Sequence, residues 1–196
     1  PGSVGTHDTD RGTGTTFLSY LKQGFEHILP EGLDHILFVL GLFLLCRAWK
    51  PTLIQVTTFT AAHTVTLALA TLGYVSAPGH IVEPIIAASI AVIALENIFR
   101  PTYGKFRIIL VFVFGLIHGL GFAQRLIDER IPAGSIVSSL LGFNLGVEFG
   151  QLAVIGLAIA ATFWIKDEEK YRGWVVIPAS TLIAVAGLFW AYQRIA

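Results

Sequence analysis

Long apolar runs constrain this chain more than any other feature. A helix needs about 20 apolar residues to cross the hydrocarbon core of a bilayer. Runs of that kind recur near residues 31–48, 51–74, 80–100, 105–127, 134–165 and 171–194. Over 196 residues only 13% are charged, and the mean hydropathy is +0.71. A soluble domain carries about a quarter charged residues, so the chain reads as an all-α, polytopic membrane helix bundle with about six transmembrane helices. Residues 15–196 form its single membrane domain. The fifth run is too long for an untilted span, so it either extends past the bilayer or breaks between Gly142 and Gly150.

The start of the chain has a different texture. Pro1-Gly2-Ser3 reads as a protease-cleavage scar, and residues 1–14 as a flexible, glycine-rich lead-in. His7, Asp8 and Asp10 there read as a solvated tail rather than a metal site. Thr15 to Leu29 then places Phe17, Leu18, Leu21, Phe25 and Ile28 at helical spacing, with Lys22, Gln23 and Glu26 elsewhere. That pattern predicts an N-terminal amphipathic helix at the membrane interface. Pro30 disfavours helix at Leu29 and turns the chain into the first span.

Charge excludes some roles. The 13 Lys and Arg balance the 13 Asp and Glu, and without a basic stripe nothing points to nucleic acid. Cys46 is the single cysteine, which excludes an internal disulfide and a cysteine-rich metal site. Trp49, Tyr74, Tyr103, Trp164, Tyr171, Trp174, Trp190 and Tyr192 fall near span ends, as an aromatic belt in contact with lipid requires. Arg47, Lys50, Arg100, Lys105, Arg107, Lys166, Lys170 and Arg172 fall on one side; Arg11, Lys22, Arg125, Arg130 and Arg194 fall on the other. The richer side is expected to be cytoplasmic, which puts both termini outside a bacterial inner membrane.

Ionisable groups inside a span cost several kcal/mol and need partners in the protein interior. The first span opens on Asp34 and His35, the second carries Thr57, Thr60, His63 and Thr64, and the third Glu83, Ser89, Glu96 and Asn97. His118 lies between glycines in the fourth, and Asn144, Glu148 and Gln151 share a face of the fifth. The sixth has only Ser180 and Thr181 near its middle and reads as a wall. At about 1.5 Å per residue, His35 lies roughly 6 Å, His118 about 12–14 Å and His63 about 16 Å below the outer end. His27 precedes the membrane on that side. Imidazoles and carboxylates at compatible depth suit a divalent transition metal such as zinc, nickel, cobalt, iron or manganese.

The expected inner shell is therefore Asp34, His35, His63 and His118, with Glu148 as a fifth ligand or a partner to one. Asp34 and His35 are neighbours about 100° apart on a helix, so one of them is expected to orient the other. Glu96 and Asn97 read as helix caps or partners of Arg100, and Glu83 either as a cap before Pro84 or as a ligand. The small-residue spacing of Gly115 with Gly119, and of Gly142, Gly146 and Gly150, predicts close packing of the fourth and fifth spans. His118 and Glu148 would sit at their seam.

The strings GFEHILPEGLDHILF, FTAAHTVTLALA, VEPIIAASIAVIALEN, FGLIHGLGFA and FNLGVEFGQ together resemble the HupE/UreJ family of membrane proteins. The resemblance runs from Gly24 to Gln151, with Pro30-Glu31 lengthening the usual gap between the first histidine and the Asp-His pair. It implies a nickel or cobalt permease linked to hydrogenase and urease maturation. His27, Asp34, His35, His63, His118 and Glu148 all fall in the matching strings.

Two functions compete on the residues alone. A permease would pass the ion inward along Glu96 or Asn97, and with so few helices a homo-oligomer would help. An intramembrane zinc-type metallohydrolase would leave one metal position for water. Glu148 or Asp34 would then act as general base on a lipid or a membrane-anchored peptide, although no HExxH-type motif is present. A metal sensor or accessory subunit is the third, plainer possibility.

Overall fold

A computed structural model describes residues 7–128 and 133–196 of the chain. Eight helices account for nearly all of them: α1 (His7–Ile28), α2 (Leu33–Leu45), α3 (Trp49–Thr71), α4 (Gly79–Phe99), α5 (Lys105–Asp128), α6 (Ile136–Thr162), α7 (Glu168–Tyr171) and α8 (Ile177–Ile195). A single 3-10 turn, Ala133–Ser135, leads into α6, and a π-helical turn, Arg172–Val176, joins α7 to α8. Five segments are long and apolar enough to cross a membrane: α3, α4, residues 105–123 of α5, α6, and the α7–α8 unit. The chain is thus an integral membrane helix bundle with an N-terminal helix.

The first apolar run behaves differently from the uninterrupted span expected over 31–48. Its helix stops at Leu45, so α2 has only 13 residues and measures about 20 Å, short of the roughly 30 Å hydrocarbon core. Only together with the second half of α1, from which it is bent by 71°, is it long and apolar enough to cross a membrane, as a broken span. The turn between them contains Pro30, which follows a cis peptide bond, and proline cannot continue the hydrogen-bond ladder of α1. The α6 helix, by contrast, runs unbroken through Gly142, Gly146 and Gly150.

Helix pairing follows the glycines, but along other seams than expected. The glycines of α6 receive α1: a Cβ on Gly146 would meet the Leu21 carbonyl, one on Gly142 the Phe17 carbonyl, and one on Gly24 of α1 the Phe143 carbonyl. The amphipathic helix therefore packs lengthwise on the bundle. Gly115 and Gly119 face α3, where a Cβ would lie 2.7 Å from the Phe59 carbonyl oxygen and 2.5 Å from that of His63. The α4 and α8 helices form the third close pair, with Gly187 against Ala87 and Ala91. Small residues let backbones approach closely where the hydrophobic effect supplies little helix–helix attraction.

The short α2 is the hub of these pairs and touches α3, α4, α6 and α8. Phe38, Val39, Leu42 and Phe43 along it are completely or almost completely buried. On the outside, Ile109, Leu141, Leu157, Leu182 and Val185 are exposed, which gives the bundle an apolar surface suited to lipid. Trp49, Tyr74, Trp164, Trp174 and Tyr192 are likewise exposed near helix ends. Tyr171 is not part of that belt; it is buried, with the Arg47 guanidinium 4.0 Å above its ring.

Candidate metal centre

Four imidazoles, those of His27, His35, His63 and His118, lie near the hinge between α1 and α2. His27 occupies the last turn of α1, His35 the first turn of α2, His63 the inner part of α3 and His118 the middle of α5. The hinge bends the chain by 71°, and across it His27 lies against His35, with ring centroids 4.6 Å apart. His63 joins them from α3, with centroids 6.4 Å from His27 and 6.1 Å from His35. One ring nitrogen from each of His27, His35 and His63 lies within 4.8 Å of the other two. Nitrogens that close can share one ion after small side-chain adjustments, because metal–imidazole bonds are about 2.0–2.1 Å long.

His118 adjoins this group through one neighbour. Its Nδ1 lies 3.5 Å from His35 Nε2, and its Nε2 lies 2.9 Å from Ser89 Oγ on α4. Aromatic rings wall the cluster: Phe122 is 4.0 Å from His27, Phe143 stacks 6.5 Å from His63, and Phe38 and Phe59 lie 5.0 and 5.1 Å from His118. His63 is fully buried, yet neither of its ring nitrogens has a hydrogen-bond partner among the described residues. The Asn144 side chain of α6 is its polar neighbour and interacts with the ring, but too loosely to complete a hydrogen bond with either nitrogen. Leaving buried polar groups unpaired costs about 1–3 kcal/mol each. Such orphans call for a water or an ion, and a neutral imidazole with a free lone pair is the form a metal takes.

The carboxylates of Asp34 and Glu148 are engaged by other side chains. Asp34 accepts two bonds from Arg194 Nη2, at 2.8 and 3.2 Å, so its oxygens face α8. Glu148 accepts from Thr57 at 2.9 Å, and one turn further on Gln151 Oε1 accepts from Thr60 at 3.0 Å. These two bonds join α3 to α6 as rungs beside the cluster. Glu148 is thus on the α3–α6 seam, and His118 on the far side of His35, rather than together between α5 and α6.

A cleft of about 490 Å³ leads to the cluster from one end of the bundle. Glu31, Asp34, Glu83 and Arg194 line it together with His27, His35 and His118. Arg194 crosses it, donating also to the Glu83 carbonyl at 3.1 Å. Glu83 is exposed on this wall.

Toward the opposite end, a second polar group closes the interior. Arg107 has no exposed surface and forms an ion pair with Glu96. It also donates to Gln55 Oε1 at 3.0 Å and to the Gly41 carbonyl at 3.1 Å. Asn97 donates to that same carbonyl at 2.8 Å. Glu96 therefore pairs with Arg107, not Arg100, whose guanidinium lies over the Phe106 ring. Arg107 is no loop cation either, which weakens the charge asymmetry read from the sequence. Its closeness to the start of α5 disguised it; the signal was an acid in α4 that needed a buried partner.

A family model described as HupE / UreJ protein matches residues 5–194. No curated protein and no solved structure gives a match.

Proposed function

The chain belongs to the HupE/UreJ family, and from that premise we propose that it is a membrane permease for a divalent transition metal of the nickel or cobalt type. The observation that carries this reading is the buried grouping of His27, His35 and His63, whose ring nitrogens lie close enough to share one ion. The acids of the cleft attract a hydrated cation, and the imidazoles replace its water one ligand at a time. Late divalent metals favour nitrogen ligands of this kind. Asp34 serves the entering ion by exchanging Arg194 for it, and His118 and Glu148 support the site from outside the group of three.

The cargo then has to pass the Arg107–Glu96 pair. From His35 to Gly41 along α2 is about 9 Å, and from Ser89 to Glu96 along α4 about 10 Å. The guanidinium thus lies roughly two turns beyond the histidines and repels a cation. Transport requires that pair to separate, with Glu96 turning from Arg107 to the ion. A second copy of the chain would provide the surface against which helices move. The entry cleft faces outward when both termini are outside.

The experiment is uptake of Ni2+ or Co2+ into proteoliposomes, with elemental analysis of the purified protein. Uptake is expected from the wild type and is lost in His63→Ala; equal uptake by the two overturns the reading. The closed far end favours one alternative, an intramembrane zinc-type hydrolase that holds its ion permanently. In that case Asp34, which lines the cleft with His35, is better placed as general base than Glu148. Metal retained through dialysis, together with lipid or peptide hydrolysis lost on chelation, would select it over transport.

A further inference from the structure

We propose that Ser89 is a positioning residue that, through His118, sets which nitrogen His35 offers to a cation. This rests on the metal-binding reading of the histidine cluster and adds residues to it.

Ser89 is buried on α4, and its hydroxyl makes two contacts. The first is to the Ile86 carbonyl oxygen at 2.6 Å, the second to His118 Nε2 at 2.9 Å. Two oxygens at 2.6 Å need a proton between them, and the carbonyl has none. The one hydroxyl proton of Ser89 therefore goes to Ile86, and Ser89 Oγ accepts from His118. His118 must then carry its proton on Nε2. A neutral imidazole has a single N–H, so Nδ1 of His118 keeps its lone pair.

That lone pair faces His35 Nε2 at 3.5 Å. Two lone pairs facing each other would repel, so His35 donates, with its own proton on Nε2. The nitrogen left on His35 for a cation is Nδ1. The order of donation is His35 Nε2–H to His118 Nδ1, His118 Nε2–H to Ser89 Oγ, and Ser89 O–H to the Ile86 carbonyl. A ligating histidine usually donates its second ring N–H to a polar partner, which fixes tautomer and ring orientation. Here another histidine fills that place, and a serine bonded to backbone ends the chain. The arrangement also accounts for His118 lying outside the mutually close group of His27, His35 and His63.

The Ser89 hydroxyl is not needed merely to fill space. Residues 86 and 89 are one turn apart, and alanine at 89 would fill most of the same space. What alanine removes is the acceptor for His118 Nε2–H, leaving that ring free to take the other tautomer.

The test is ring nitrogen-15 NMR of histidine-labelled protein in nanodiscs, assigned with His→Gln variants, before and after addition of Zn2+. In the wild type without metal, His118 and His35 are both expected as Nε2–H tautomers. Zn2+ should move the Nδ1 signal of His35 and leave His118 as it was. In Ser89→Ala, His118 should show mixed tautomers and Zn2+ affinity should fall about 10–100-fold, the usual effect of losing a partner to a ligand. Ser89→Thr, which keeps a hydroxyl, should recover most of the loss. A proton on His118 Nδ1 in the wild type, or a metal-induced shift at that atom, overturns the proposal; the second result would make His118 a direct ligand. If the wild type binds neither Zn2+ nor Ni2+, the transport reading fails, and the metal-free tautomers still decide the chain.

Discussion

Arg107 and Glu96 meet inside the bundle, on α5 and α4, with the guanidinium wholly shielded from outside and the carboxylate nearly so. Gln55 and the Gly41 carbonyl take further guanidinium protons, so α2, α3, α4 and α5 all contribute to one polar knot. Desolvating two charges is repaid only when the remaining hydrogen bonds are made, and here the neighbours make them.

Arg107→Ala should therefore lower stability by about 3–5 kcal/mol, because it strands the Glu96 carboxylate. The double variant Arg107→Met with Glu96→Gln should lose less than the single one. Thermal unfolding in detergent measures both, and a single variant as stable as the double would show that the pair is unimportant.

The Arg194–Asp34 pair should behave in the opposite way. Both side chains are about a quarter exposed, and such pairs contribute about 0–1 kcal/mol. Arg194→Ala should leave the midpoint of unfolding nearly unchanged. It should raise the affinity for Ni2+ or Zn2+ by freeing Asp34 at the cleft. Titration calorimetry beside thermal unfolding gives both numbers.

The contact between α1 and α6 can be tested with one methyl group. Gly146→Ala pushes a Cβ into the Leu21 carbonyl and should cost about 1–3 kcal/mol through overpacking. Gly156→Ala on the same helix meets nothing within 4 Å, and should be neutral or slightly stabilising through helix propensity. Equal effects from the two would disprove the seam.

Added metal should stabilise the wild type. A ligand present at 100 times its Kd contributes about 2.7 kcal/mol, so Ni2+ or Zn2+ should raise the unfolding temperature and a chelator should reverse the gain. His63→Ala should show no such response. Glu148→Gln, which retains an acceptor for Thr57, should respond like the wild type.

Much of the bundle was legible in the sequence because membrane insertion demands a long apolar run for each crossing. The five long segments matched runs from 51 onward within a few residues. The hinge was harder: Pro30 marked it, but the apolar string after it looked long enough to cross alone. Glycine spacing identified the close contacts but paired the fourth span with the fifth, because Gly115 or Gly146 can seat against any helix with a suitable groove. Depth put His35, His63 and His118 in one half of the bundle, but His27 was expected ahead of the membrane, and neither its place beside His35 nor the direction of each carboxylate was readable. Asp34 turns to Arg194, which lies 160 positions later, and no local pattern encodes that. Ser89 carried little signal, because serine is common at helix contacts; only its distance from His118 singles it out.

The hinge also sets two helix ends of opposite polarity side by side. The carboxyl end of α1, bearing His27, carries a partial negative charge of about half a unit, and the amino end of α2, bearing His35, a similar positive one. A cation held there, as proposed above, would meet an attractive field on the His27 side and an opposing one at His35. Because Pro30 keeps the ladder broken, both fields persist at the hinge, and their sum at any point depends on the angle between the two half-helices.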